Sequence, residues 1–328
     1  MSKDLLIYLV FGAVIIVALI FDLGLLSKKN QVISLKMALV QTIFWVLLAF
    51  AFCAFIWFEN ERGQGKQDAI SFVSAYLLEW SLSIDNIFVF IIIFSFFKVK
   101  ENNYSRVLLL GILMAIVFRI LFIAVGSAAV AKYGWIMFVF GFFLVYTGIK
   151  MFSSGDEEEF NPEENWAYRF MKKFMRTTDE EPNGRFIIVK HKKAFFTRLS
   201  MVVVMLGLID IVFAVDSIPA VFSIIPDPSK KLLIYSSNIF AVLGLRSLFF
   251  LLRGAASKFD HLQQGIAIVL IFIGIKMLLP LLEYLGVPKE KLHFPVWVSL
   301  LVIVVCISGS ILYSIYHKRK GVPKDVEE

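Results

Sequence analysis

A chain of 328 residues has the length of about two soluble domains. Its 59% hydrophobic and 15% aromatic residues, with a mean hydropathy of +0.79, exclude soluble globular composition and indicate a chain built for lipid. Its two cysteines, Cys53 and Cys306, stand in separate apolar runs with no CxxC spacing, which excludes a disulfide framework, a thioredoxin-like site and a cysteine zinc site. The net charge of +7, from 33 basic and 26 acidic side chains, is accounted for by membrane topology rather than by nucleic-acid binding.

Crossing a bilayer core takes roughly 20 apolar residues per helix. Windows of that kind lie at 5–26, 37–58, 69–97, 107–131, 134–152, 194–225, 232–252, 264–285 and 294–316, which predicts nine spans in an all-α polytopic membrane protein. The first window is too long for a signal-peptide core and has no clear small-residue cleavage site, so it is expected to be retained. Cytoplasmic loops carry an excess of Lys and Arg. With the N-terminus outside, twenty basic residues fall on inner segments, among them Lys28, Lys29, Lys98, Lys100, Arg253 and Lys318, against eight on outer ones. This predicts a cytoplasmic C-terminus, with 317–328 as its tail.

The segment 153–193 is the one long hydrophilic stretch, too short for an enzyme domain, and opens with the acidic run Asp156 to Glu159. Asn161 and Pro162 look like an N-cap and first helical residue. Trp166, Phe170 and Phe174 recur every four residues between Arg169, Lys172, Lys173 and Arg176, predicting a short amphipathic helix on the inner membrane surface. A solvated helix without a partner is the competing reading, and a docking role for an unidentified partner a third.

The chain also repeats itself. Gly148-Ile149-Lys150-Met151 recurs as Gly274-Ile275-Lys276-Met277, 126 residues on, and Arg119 recurs as Arg246, 127 residues on. Glu79 and Asp85 recur as Asp210 and Asp216, both 131 residues on. Equivalent helices are three crossings apart, and an odd number of crossings reverses direction. The units 69–152 and 194–285 are therefore expected to be inverted repeats, as in transporters whose substrate site lies near the midplane between the repeats.

Ionisable groups inside a span cost about 2.5–3.5 kcal/mol on insertion scales and are normally paired or functional. The acidic set is Glu79, Asp85, Asp210 and Asp216, with Ser81, Ser83, Asn86 and Ser217 beside them. Six helical residues rotate about 240°, so Glu79 and Asp85 occupy different faces and a central ion would draw ligands from both repeats. Pro219 frees the carbonyl of Val215 as a further hard ligand. Oxygen donors suit Mg²⁺, Ca²⁺ or Mn²⁺ rather than zinc, nickel or copper. All four histidines fall in loops or at span ends. The competing reading is a structural network in which the carboxylates neutralise the counter-charges Arg119, Arg246 and Lys276. Lys150, at its span's cytoplasmic end, is expected to snorkel.

The stretches Glu79-Trp80-Ser81-Leu82-Ser83-Ile84-Asp85-Asn86 and Asp210-Ile211-Val212-Phe213-Ala214-Val215-Asp216-Ser217-Ile218-Pro219-Ala220 resemble the TerC family of integral membrane proteins, as do Ser237-Asn238 through Arg246 and Ile273 through Met277. The resemblance runs from the first span to the last and is strongest to the Alx-type branch. It implies a bacterial inner-membrane exporter of Mn²⁺, related to LysE-type transporters, with the motif acids as metal ligands, Asn238 lining the site and no tightly bound cofactor. Some members are linked instead to tellurite resistance. Two positions depart from the family pattern: Gly207 stands where a Glu is expected and Trp80 where Lys is frequent, which alters the site's charge. An intramembrane aspartyl protease would need Gly-x-Gly-Asp, whereas Gly207-Leu208-Ile209 precedes Asp210. A non-transporting adaptor acting through 153–193 and a Ca²⁺ exporter also compete with Mn²⁺ export.

Overall fold

The computed structural model describes residues 3–24, 33–59, 64–153, 166–178, 184–190, 193–227, 229–253, 262–285 and 296–321. In lipid every backbone group must be satisfied within the chain, and apolar runs of this length do so as helices. The elements are α1 (Lys3–Gly24), α2 (Leu35–Glu59), α3 (Gly65–Phe96), α4 (Glu101–Lys132), α5 (Ile136–Ser153), α6 (Trp166–Phe174), β1 (Ile187–Lys190), β2 (Lys193–Phe196), α7 (Arg198–Ile224), α8 (Lys231–Leu252), α9 (Leu262–Leu278) with a 3₁₀ extension over Leu279–Leu285, and α10 (Val296–Gly321). Among the described residues eight helices are long and apolar enough to cross a membrane. The ninth predicted span, α1, is also helical, but its apolar stretch reaches only from Leu9 to Ile20 in the described residues.

Two predicted boundaries move. The sixth span was expected from 194, but Ala194, Phe195 and Phe196 belong to β2 and the helix starts at Arg198. A strand and the helix after it are both apolar here, so one hydropathy window runs through them. The eighth span narrows to 3₁₀ geometry at Leu279, just before Pro280 removes a backbone donor.

The helix α8 is the axis of the bundle, buried along nearly its whole length. It packs on α3, α2 and α4, while α4 also packs on α7 and α5 on α9. The rings of Phe52, Phe72 and Phe240 tie α2, α3 and α8 together, with centroids 5.2 to 6.2 Å apart. Outward-facing Leu121, Val125, Phe142 and Tyr146 present apolar surface to lipid.

The tightest contact joins α5 and α9, where small residues let backbones approach. A Cβ on Gly274 would lie 2.7 Å from the Gly141 carbonyl, and one on Gly148 would lie 2.8 Å from the Ala267 carbonyl. Numbers rise on one helix as they fall on the other, so α5 and α9 run antiparallel. At the 126-residue offset of the repeat, Gly148 corresponds to Gly274 and Gly141 to Ala267. Exchanging the two units therefore turns one contact into the other.

The segment before α7 is docked rather than loose. Strands β1 and β2 pair antiparallel from Ile187↔Phe196 to Lys190↔Lys193, a hairpin that the sequence patterning did not anticipate. Phe186 O accepts hydrogen bonds from Thr197 and Ser200, and the Arg106 guanidinium lies 5.1 Å over the Phe186 ring while donating to Gly184 O at 3.2 Å. The predicted amphipathic helix is α6, whose Met171 is fully buried and whose Tyr168 rests on Phe96 and Phe97. Its expected cap at Asn161 and Pro162, the acidic run, and the side chains of Trp166, Phe170 and Phe174 lie outside the described residues.

Candidate cation site at the centre of the bundle

Midway along their helices, α3 supplies Glu79, α4 supplies Arg119, α7 supplies Asp210 and Ser217, and α8 supplies Asn238. All five are buried, Arg119, Glu79 and Asp210 at 1% exposure or less. Arg119 grips Asp210 through two bonds, Nε to Oδ2 at 2.8 Å and Nη2 to Oδ1 at 3.0 Å. This planar fork is the geometry that makes arginine the favoured partner of a buried carboxylate. Arg119 Nη1 donates to Glu79 Oε1 and faces Asn238 Oδ1 at 3.3 Å and Ser217 Oγ at 3.4 Å. The Asn238 amide is itself oriented by its Nδ2, which donates to Ile234 O at 3.1 Å.

Five oxygens from three helices thus surround one guanidinium. One oxygen of the pair is left over: Glu79 Oε2 is buried without a hydrogen-bond partner among the described residues, as is Ser83 Oγ one turn along α3. Were both carboxylates ionised, the single guanidinium of Arg119 would balance one of the two negative charges. A buried anion of this kind attracts a cation or a proton.

The sequence-predicted residues divide accordingly. Glu79, Asp210, Ser217, Asn238 and Arg119 are brought together. Ser83 and Asn86 are buried on α3 beside them. Asp85 and Asp216 lie on α3 and α7, and their side chains fall outside the described residues. Among the described residues no three His, Cys, Asp or Glu side chains form a metal-binding group. Val215 is 40% exposed on α7, and its carbonyl loses its helical donor to Pro219. Lys276 was expected to neutralise the carboxylates; its ammonium donates instead to Ser299 Oγ of α10 at 2.9 Å. Arg246 is buried at 2% exposure on α8. Lys150 is exposed at the end of α5.

Beside Asp210 lies a small apolar packing gap, too small for a water molecule, between Leu108, Gly111 and Ala115 of α4, Leu206 of α7 and Val242 and Leu245 of α8. It lies toward the N-terminal half of α4. A Cβ on Gly207 would lie 2.0 Å from Met114 Cε, so a methionine of α4 fills the space that a longer side chain would need.

The sequence model for the TerC integral membrane protein family matches residues 64–321. The chain belongs to the TerC family. It is 38% identical over 317 residues to an uncharacterized membrane protein of Myxococcus xanthus, covering 97% of this chain and 94% of that one. It is 37% identical to a protein of Salmonella typhi and 36% identical to one of Escherichia coli K12, each described as a proposed membrane-bound redox modulator, Alx, with 88% of both chains covered. No solved structure matches the chain. Membership and the helices together make it a multi-pass integral membrane protein.

Proposed function

We propose that this protein is a transporter, not an enzyme, that exports a divalent metal cation from the bacterial cytoplasm across the inner membrane, with Mn²⁺ as cargo. The observation that carries the reading is the buried cage of oxygens around Arg119, contributed by helices of both halves at mid-helix depth. Carboxylate, amide and hydroxyl oxygens are the donors that hard divalent cations take. Asp85 and Asp216 are the central ligands in this reading, with Glu79 and Asp210 beside them.

The inverted-repeat arrangement is part of the same proposal. It is supported by packing that survives exchange of the units: α4 on α7 becomes α8 on α3, and α5 on α9 maps onto itself. Antiparallel α5 and α9 are what an axis in the membrane plane requires. Transport then follows from one unit rocking against the other around a fixed site. Carboxylates that bind metal must release protons and take them back when empty, which couples outward cation to inward proton. The orientation with N-terminus outside and C-terminus cytoplasmic places α6 and the hairpin on the inner face.

The relatives named for redox modulation raise thiol chemistry as a second reading. Cys53 on α2 and Cys306 on α10 are both free and half-buried, which favours ion movement over an internal dithiol. The test is uptake of Mn²⁺, Ca²⁺ and Mg²⁺ into proteoliposomes carrying the purified protein, with an inside-acid proton gradient. Mn²⁺ movement that exceeds empty liposomes and collapses with the gradient supports the reading. No movement of any of the three overturns it.

A further inference from the structure

Two groups inside the bundle stand apart from the cluster around Arg119 and have no hydrogen-bond partner among the described residues: both ends of the Gln41 amide on α2, and Ser83 Oγ on α3. Gln41 is 1% exposed and Ser83 is fully buried. An amide shut away from water with neither donor nor acceptor opposite it is costly to bury. Helix packing shows where these groups lie. Cys53 Sγ donates to Ala69 O at 3.6 Å, the Phe52 ring lies 5.6 Å from Phe72 and the Phe50 ring 6.5 Å from Tyr76, so α2 and α3 run antiparallel. Phe240 of α8 completes that layer, 5.2 Å from Phe52 and 6.2 Å from Phe72. Gln41 stands eleven residues from Phe52, and Ser83 eleven from Phe72, toward the same end of the bundle. Eleven residues make three turns to within about 20°, so each side chain keeps the helix face that carries the aromatic layer. Ser247, seven residues from Phe240, keeps the same face of α8. The three helices still meet at Gly244, where a Cβ would lie 3.7 Å from Trp45 Cβ and 3.9 Å from Trp80 Nε1. Gln41, Ser83 and Ser247 come about one turn past Trp45, Trp80 and Gly244 respectively.

We propose that Gln41, Ser83 and Ser247 form a neutral station that receives a hydrated divalent cation before the acids take it. The inference rests on the export reading and on the orientation proposed with it, under which this end of the bundle faces the cytoplasm. It brings α2, a helix outside both repeats, into the path. Waters held by a divalent cation donate to Gln41 Oε1 and to the Ser83 and Ser247 oxygens, and a further water accepts from Gln41 Nε2. Ser247 Oγ already donates to Gly244 O at 2.9 Å, which leaves its lone pairs to accept. Donor oxygens then continue inward, because Ser83 lies one turn along α3 from Glu79, whose Oε2 is also unpartnered among the described residues. A layer without charge of its own holds the ion weakly enough to pass it on, which conduction through successive sites requires.

The test is Mn²⁺ uptake into inverted membrane vesicles with an acid interior, at matched expression, paired with the thermal midpoint of the purified chain in detergent without metal. Gln41→Leu and Ser83→Ala are each expected to raise the Mn²⁺ concentration for half-maximal uptake about tenfold, the scale on which outer-shell partners of a metal act. The midpoint is expected to hold or rise in both, because removing an unpartnered polar group breaks no bond. Thr42→Val is the control: its buried hydroxyl already donates to Ala38 O at 2.9 Å, and half-maximal uptake should not move. Half-maximal uptake unchanged in both Gln41→Leu and Ser83→Ala overturns the station. So does a midpoint lowered by Gln41→Leu, since the amide would then have a partner within the fold. Should Gln41→Leu not reach the membrane, Gln41→Met, closer to glutamine in shape, is held to the same two results. Vesicles of the unsubstituted chain that take up no Mn²⁺ refute the export reading and the station with it; uptake that both substitutions leave intact refutes the station alone.

Discussion

Arg119 and Asp210 meet through two parallel bonds, 2.8 and 3.0 Å long, that cross from α4 in one half of the bundle to α7 in the other. Breaking one partner of a fully buried pair leaves an uncompensated charge and costs about 3–5 kcal/mol. Glu79 makes one bond to the same guanidinium, so its loss leaves a neutral Arg119–Asp210 pair in place. Asp210→Asn is expected to lower the thermal midpoint in detergent further than Glu79→Gln does. Equal midpoints, or the reverse order, would show that the fork does not dominate the cluster.

The α5–α9 contact is expected to be intolerant of a single methyl group. Gly148→Ala and Gly274→Ala would push a Cβ against backbone carbonyls at 2.8 and 2.7 Å, and overpacking of this kind costs about 1–3 kcal/mol. Gly12→Ala and Gly309→Ala, where nothing lies within 4 Å, are the controls and should leave the midpoint unchanged. A midpoint unaffected by Gly148→Ala would show that the helices are not held at that spacing.

Gly207 differs from those glycines because its neighbour can move. A Cβ there meets the flexible end of Met114, so Gly207→Ala is expected to cost about 1 kcal/mol or less. Gly207→Glu with Met114→Ala adds a carboxylate three residues before Asp210 and, if the acids hold the cation, is expected to strengthen Mn²⁺ binding in equilibrium dialysis. Unchanged affinity in the double variant would place position 207 outside the cation site.

The hairpin should come away from the bundle when its clamp is cut. Arg106→Ala removes both the bond to Gly184 O and the cation–π contact with Phe186. Limited trypsin digestion of the variant is expected to cleave at Arg185 or Lys193, both exposed, several times faster than in the unsubstituted protein. Identical digestion rates would mean that strand pairing alone holds the segment.

Much of this fold is legible in the sequence because lipid enforces one rule, apolar length, and every helix from α2 to α10 except the short α6 obeys it. The family signature at Glu79 and Asp210 is equally legible, since charge inside a span has few explanations. What sequence cannot carry is which charge answers which. Lys276 stands in a repeat of Lys150 and reads as a counter-charge, yet α10 offers Ser299 at 2.9 Å. Asn238 is an ordinary amide in an apolar run until Ile234 O fixes its orientation toward Arg119. The hairpin escaped because Ile187–Lys190 and Lys193–Phe196 are each four residues long, too short to show a period of two against the apolar helix that follows.

The central claim is that the acids of α3 and α7 carry the cation, and the most direct test is Mn²⁺ efflux from metal-loaded cells at matched membrane expression. The unsubstituted chain is compared with Asp85→Asn and Asp216→Asn. Efflux present in the first and lost in both variants is the predicted result. Efflux that persists unchanged in both would contradict the account and leave the carboxylates as structural charges.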